Sequence, residues 1–428
     1  MSKIVMIGVG SISFGAKTIG DLIHFKDILK GSIISLVDID EEKLRLMKGL
    51  IDKMNKDAGM PFKIEASTQR RDVLTGADFV VTSPAIKREE LWKQDWTIIN
   101  RAGIKQTYGE NGGPGSLALT MRNIPMILSI AKDVEELAPN AWLINFTNPE
   151  ARICMALDRY SSVKFVGLCH QIYESYKTIH TVLGIEFSDI DVKAAGTNHL
   201  TWIYDIRRKS TGRSIYKEFS DKLKEMPENY EPMSRKLFSM FGMYPTSGDH
   251  HLAEFMPFGW EYQGLLGRDF ESRKKKIDDT MEWLRGVNNE TRQVGEIVSG
   301  KSTESVADII AAMTTGDNHY EVSLDIRNNG CIPNLPDNAI VEVPGVVSGD
   351  KVRGLRMDPL PEGIVELIRR QITVQSLSVE AAITGSRDKA LQAFILDPVV
   401  DNISTAEKVL DELIQANKEY IHQGFVCA

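Results

Sequence analysis

The sequence predicts an α/β fold in which a mostly parallel sheet is covered by helices on both faces. Three observations predict it. A short apolar run, Lys3 to Gly8, ends in the glycine turn Gly8-Val9-Gly10 and is followed by Ile19, Leu22, Ile23 and Ile28 at near-helical spacing. A second apolar run, Ile33-Ile34-Ser35-Leu36-Val37, ends in the acid Asp38, which completes one strand–helix–strand unit of the Rossmann type. Further strand-like runs then alternate with helix-like ones, as in a parallel sheet buried on both faces.

Taken in order, further strands are expected at Phe62 to Ala66, Phe79 to Thr82, Trp142 to Phe146 and Lys164 to Leu168. Gly112-Gly113-Pro114-Gly115-Ser116 introduces a helix over Leu117 to Leu137. Pro125 should kink or split that helix, because proline lacks an N–H and its ring crowds the preceding turn. Asp189 to Arg207 reads as the crossing into a second part. A polar segment, Lys217 to Lys236, reads as exposed helices and leads to the dense cluster Ser247-Gly248-Asp249-His250-His251-Leu252-Ala253-Glu254-Phe255. Cys331 to Asp337 is a proline-punctuated loop feeding a strand at Ala339 to Val343. The last third is helical over Gly363 to Ile383, Ser386 to Ile395 and Ser404 to His422, with a break near Asp397-Pro398. No repeat or flexible linker interrupts the chain. The expected division is a nucleotide-binding part, residues 1–190, and a substrate and oligomerisation part, residues 191–428, sharing a large interface.

A chain of 428 residues exceeds the usual size of one core, in keeping with two domains. The net charge of -8 argues against nucleic acid, which usually needs a basic stripe, but one local arginine can still hold a small anion. The opening Met1-Ser2-Lys3 lacks the pattern of a secretory leader, and no apolar run approaches the roughly twenty residues that span a bilayer. The four cysteines, Cys154, Cys169, Cys331 and Cys427, have no framework spacing and read as free thiols in a reducing compartment. The expectation is a cytoplasmic enzyme working as a homodimer or homotetramer on a small molecule, with no nucleic acid or membrane partner.

Gly8 and Gly10 allow a tight turn and a close approach of backbone to a pyrophosphate, with Ser11 and Ser13 beside it. Ser13 stands where the standard fingerprint has its third glycine, and Gly15 comes two residues later. In this strand–turn–helix context the loop predicts a nicotinamide dinucleotide. Asp38 favours NAD over NADP, since its carboxylate grips a ribose hydroxyl and repels a ribose phosphate.

Two apolar runs each end in a potential metal ligand: Phe165-Val166-Gly167-Leu168-Cys169-His170 and Ala194-Ala195-Gly196-Thr197-Asn198-His199. A thiolate and a neutral imidazole suit a divalent transition ion, with positions left for substrate oxygens. Taken singly, Cys169 is more simply a small buried hydrophobe and His199 a satisfied core histidine beside Trp202. Asn148, between Thr147 and Pro149 at a strand end, suits a sugar hydroxyl or the nicotinamide side.

Gly8-x-Gly10-Ser11, Asn145-x-Thr147-Asn148-Pro149, Gly167-x-Cys169-His170, Asn198-His199-x-x-Trp202 and Asn334-Leu335-Pro336 together resemble glycoside hydrolase family 4 over nearly the whole chain. Gly248-Asp249-x-His251-Leu252-Ala253-Glu254-Phe255 looks most like its α-galacturonidase branch. The resemblance implies a Rossmann-type domain followed by an α/β domain of the lactate and malate dehydrogenase type, with NAD and a divalent metal, usually Mn²⁺. It puts Cys169 and His199 on the metal. The implied activity is an α-glycosidase, an α-galacturonidase in the first instance. It works by transient oxidation at sugar carbon 3, proton removal at carbon 2 and elimination, then water addition and re-reduction, which sets the family apart from the two-carboxylate glycosidases.

By the resemblance, Asp249 falls where one subgroup of the family carries an aspartate, and another a tyrosine, as the base. His170 stands where some members carry an aspartate acid, and Glu110, ahead of the glycine loop, is a second acid–base candidate. His251 is a substrate contact, and Arg88 or Arg122 could pair bidentately with a uronate carboxylate. Two alternatives stay open. One is an α-glucosidase or α-galactosidase of the same family. The other is a 2-hydroxy-acid dehydrogenase, which needs an Arg-Asp-His set and no thiolate ligand.

Overall fold

The structure is a computed structural model, and it describes residues 1–10, 14–265, 269–296 and 305–426. Ser11 and Ser13, two of the expected cofactor contacts, and Cys427 lie outside the described residues.

Twelve strands form one sheet. The first six are β1 (Lys3–Ile7), β2 (Ile33–Val37), β3 (Lys63–Ser67), β4 (Phe79–Thr82), β5 (Trp142–Asn145) and β6 (Lys164–Gly167). They run parallel in the order β3-β2-β1-β4-β5-β6, with Ile4 opposite both Ile34 and Phe79. Ile4, Val5, Met6, Val80 and Val81 are fully buried, as continuous apolar runs covered on both faces should be. The strand order reverses between β1 and β4, and ligands of open α/β sheets bind beyond the carboxyl ends at such a point.

The sheet continues through β7 (Ile190–Thr197), β8 (Leu200–Arg208), β9 (Tyr244–Pro245), β10 (His319–Arg327), β11 (Ile340–Ser348) and β12 (Lys351–Gly354), all antiparallel to their neighbours. One row crosses four strands and joins the two halves: Gly167 of β6 pairs with Asp325 of β10, Asp325 with Glu342 of β11, and Glu342 with Gly196 of β7. Cys169 and His199 therefore start from the two ends of the same row.

The expected break at Pro125 does not occur. Gly113–Leu137 runs as one helix of 25 residues. Proline removes one helical hydrogen bond and crowds the preceding turn, together about 3 kcal/mol. Against that, Ile124, Ile127, Ile130 and Val134 are buried on either side of Pro125, each worth about 1.5–3 kcal/mol. The helices Glu150–Tyr160 and Glu362–Thr384 pack against this one. Among the described residues no helix is long and apolar enough to cross a membrane.

Candidate active site

The glycine turn sits at the switch point. Gly8 has φ +90°, and a Cβ there would lie 2.7 Å from the Pro84 nitrogen. Gly10 donates its N–H to Asp38 Oδ2 at 2.8 Å, and Asp40 donates to Asp38 Oδ1 at 3.0 Å. A carboxylate has about four lone-pair sites, so Asp38 keeps capacity for hydroxyl donors. Gly15 opens the first helix, where a Cβ would lie 2.6 Å from the Val9 carbonyl oxygen. It thus supplies the close helix–strand packing of a third fingerprint glycine from a displaced position. These residues fit a dinucleotide: a methyl group at Gly8 would strike the Pro84 backbone, and one at Gly10 the Asp38 carboxylate that would hold the ribose.

Cys169 lies two residues past Gly167. His199, with Asn198, forms the turn between β7 and β8 and takes φ +64°. Asn198 fixes that turn by donating its Nδ2 to Asp325 Oδ2 at 3.2 Å and to Glu342 Oε2 at 3.0 Å. The outcome is a Cys169 Sγ to His199 Nε2 distance of 3.2 Å. Burial, with the charges of His251, His170 and His250 behind it, holds the His199 imidazole well below its ordinary value, so it is neutral. Burial also pushes the Cys169 thiol well up, and Glu342, Glu150 and Asp325 add to the effect. The field that opposes a bare thiolate favours a cation in its place, so this donor set fits a divalent ion.

The other face of His199 is held by Asn111, whose Nδ2 lies 3.0 Å from His199 Nδ1. Turning that amide over presents its oxygen to an Nδ1 proton and leaves Nε2 as the lone pair. The His251 ring packs on His199 at 4.2 Å between centroids, and Tyr108 packs edge-on against His250 and His251. One His199 nitrogen, one His251 nitrogen and one Glu254 oxygen lie within 4.8 Å of one another, which makes a second set able to hold an ion. Burial lowers His251, but the hydrogen bond and charge of buried Glu254 outweigh it, and the imidazole titrates above its ordinary value.

The remaining expected residues are placed less uniformly. Asp249 is buried, and its two oxygens accept the backbone N–H groups of Met233 at 2.8 Å and Ser234 at 2.6 Å, in the first turn of the helix Pro232–Phe241. The short Gly248–Leu252 helix turns this carboxylate onto that helix end. Arg122 is a correction, being fully buried against Asp95 and Asn417 at 2.6 Å each, with no face to a substrate. Arg88 pairs with Glu110 and lies over the Trp92 ring, so both charges of the anion-reading and acid–base expectations are engaged by each other. His170 is exposed next to Cys169. Asn148 is half-buried, its carbonyl held by Asn123 Nδ2 at 2.7 Å. Asn111 and Glu254 received no role from the sequence. Glu254 three residues after His251 was the available signal, and Asn111 offered none beyond preceding the glycine loop.

Residues 3–185 match the model described as family 4 glycosyl hydrolase, and residues 194–400 match the family 4 glycosyl hydrolase C-terminal domain. An α-glucosidase of Erwinia rhapontici is 30% identical over 465 residues, covering 98% of this chain and 99% of that protein. An α-galacturonidase of Lachnoclostridium phytofermentans is 28% identical, covering 98% and 96%. The solved structure of a 6-phospho-α-glucosidase from gut microorganisms, in complex with NAD and Mn²⁺, is 19% identical with a TM-score of 0.85, covering 98% and 99%. That likeness is one of fold.

Proposed function

The chain belongs to the family 4 glycosyl hydrolases, and from that premise we propose that it cleaves an α-glycoside using NAD and a divalent cation, Mn²⁺ in the first instance. The observation that carries the reading is the 3.2 Å approach of Cys169 Sγ to His199 Nε2, at the sheet edge that also carries Gly8, Gly10 and Asp38. When bound, the dinucleotide supplies reversible hydride chemistry and the ion supplies Lewis-acid polarisation of sugar oxygens.

The chain's own residues do the rest. Gly8, Gly10 and Asp38 cradle the dinucleotide, Cys169 and His199 hold the ion, and Asn148 takes a sugar hydroxyl. The proton on sugar carbon 2 needs an acceptor beside the ion. Asp249 is engaged at a helix end, whereas His251 packs directly on His199, so we assign the proton to His251. Exposed His170, next to Cys169, serves the glycosidic oxygen.

For the sugar, the Gly248 to Phe255 stretch supports an α-galacturonide. The Arg88–Glu110 pair favours a second reading, a neutral α-glucoside or α-galactoside, because a uronate carboxylate would have to displace Glu110 from the guanidinium. A panel of nitrophenyl α- and β-glycosides and uronides, assayed with NAD⁺, Mn²⁺ and thiol reductant and with each omitted in turn, tests both readings. The expected result is α-selective hydrolysis that disappears without nucleotide or metal. Stoichiometric NADH release from a hydroxy acid would overturn it in favour of a dehydrogenase.

A further inference from the structure

Among the described residues Glu254 is one of three able to contribute to a metal site, yet hydrogen bonds already engage both of its oxygens. Oε2 accepts the backbone N–H groups of Glu110 at 2.7 Å, Asn111 at 2.7 Å and Gly112 at 3.2 Å. Oε1 lies 2.7 Å from His251 Nδ1. Three donors crowd Oε2 and one meets Oε1, and the side chain is fully buried. A cation on Oε2 would have to displace a backbone donor, and an orphaned buried N–H is costly.

The loop it fastens is the entry to the helix Gly113–Leu137, whose first amides have no partner within the helix. The next amide, Gly113, donates to Asp397 Oδ2 at 3.0 Å, and Gly115 donates to Gln106 Oε1 at 2.6 Å. Fully buried Arg152 donates Nη1 to Thr120 at 3.1 Å and sets its charge against both Asp397 and Glu254. The carboxylates are therefore held from below by a cation and from above by a helix end.

We propose that Glu254 is a positioning residue and not a metal ligand. Its carboxylate fixes the Glu110–Gly112 loop, which sets Asn111 against His199, and fixes the tautomer of His251, so that His251 Nε2 is the nitrogen offered to the site. A carboxylate oxygen can only accept, so Nδ1 is the protonated nitrogen of His251. The inference rests on the glycosidase reading for its kinetic arm alone.

Mn²⁺ titration by calorimetry and the downfield proton spectrum test it. In the wild-type protein a downfield Nδ1–H resonance, absent from His251→Gln, is expected. A His251 protonated on Nε2 alone would overturn the proposal without any Glu254 variant being needed. In Glu254→Gln, Mn²⁺ affinity should stay within about threefold of wild type while the resonance disappears. The value of kcat should fall by about 100-fold, with KM changed far less, as for loss of an orienting partner. Adding His251→Gln to Glu254→Gln should cost little more, since the two act as one unit. A 100-fold loss of Mn²⁺ affinity with the resonance retained, or an unchanged kcat, overturns the inference. If the wild-type protein hydrolyses no glycoside in the panel, the glycosidase reading fails while the titration and the spectrum still decide the role of Glu254.

Discussion

Two groups of buried carboxylates flank the Cys169–His199 pair, and the fold treats them in opposite ways. Glu254 is surrounded by N–H donors, three of them backbone amides. Behind Cys169, Asn145 and Cys154 donate to Glu150, Asn198 donates to both Asp325 and Glu342, and Ser323 and the backbone of His199 donate to Glu342. Asp325 Oδ1 has no hydrogen-bond partner among the described residues. The result is chemical as well as geometric. Burial drives Asp325 well above the usual carboxylate range, and drives Glu342 up to about 7. A donor-rich acid orients its neighbours, whereas a donor-poor buried acid shifts its own titration upward. Glu110 shows a third way to keep a buried acid, by pairing it with the cation of Arg88.

The largest test removes what the two groups flank. Cys169→Ser and His199→Ala should each lower kcat by more than about 1,000-fold, several kcal/mol of transition-state stabilisation. Far-UV circular dichroism should be unchanged and Mn²⁺ binding lost. Retained turnover with retained Mn²⁺ binding would mean that the flanking acids serve some other centre.

A smaller effect separates the ion pair from the amide-held acids. Glu110→Gln should free Arg88 and raise the ratio of kcat/KM for a uronide over a neutral hexoside by about tenfold, roughly 1.4 kcal/mol. Arg88→Met should remove that gain. A ratio unmoved by either change would show that Arg88 does not read the sugar.

Asp249 belongs with the amide-held acids. Asp249→Asn should cost stability, about 1 kcal/mol as for a lost helix cap, seen as a lower urea midpoint. Its effect on kcat should be only a few-fold. A 1,000-fold drop would return the base role to Asp249 and take it from His251.

The smallest effect concerns the donor-poor group. In the unfolded chain Glu342 titrates near 4.5, and in the fold near 7, so between those values the folded state binds more protons than the unfolded one. Stability therefore falls as pH rises through that window. The wild-type Tm should drop by about 2–4 °C between pH 5 and 8, and Glu342→Gln should show a flatter profile. Equal slopes would place the titrating group elsewhere.

Much of this was legible in the chain because it is local. Strands β1, β2 and β4 to β6 follow from apolar runs with turn residues behind them, and Gly8 and Asp38 follow from their place after two of those runs. The Cys169–His199 approach was legible for the same reason, since each residue ends a strand. The sequence reading had no strand at His319–Arg327 and no helix at Phe270–Asn288 or Val306–Thr315, where periodicity is blurred by charge or by complete burial. The split expected at Pro125 failed because tertiary packing outweighed a local rule. Asp249 and Glu254 were the hardest to tell apart. They lie five residues apart in one segment, and nothing in their neighbours states which faces a helix end and which the glycine loop. That depends on pairing with Met233 and with Asn111, which are distant in sequence.

The amide of Gly113 is held by Asp397, 284 residues further along, and the amides of Glu110 to Gly112 by Glu254. During synthesis the glycine loop leaves the ribosome long before either acid exists. The loop that sets Asn111 against His199 cannot be pinned before Glu254 has been made, and the Gly113 amide beside it waits for Asp397.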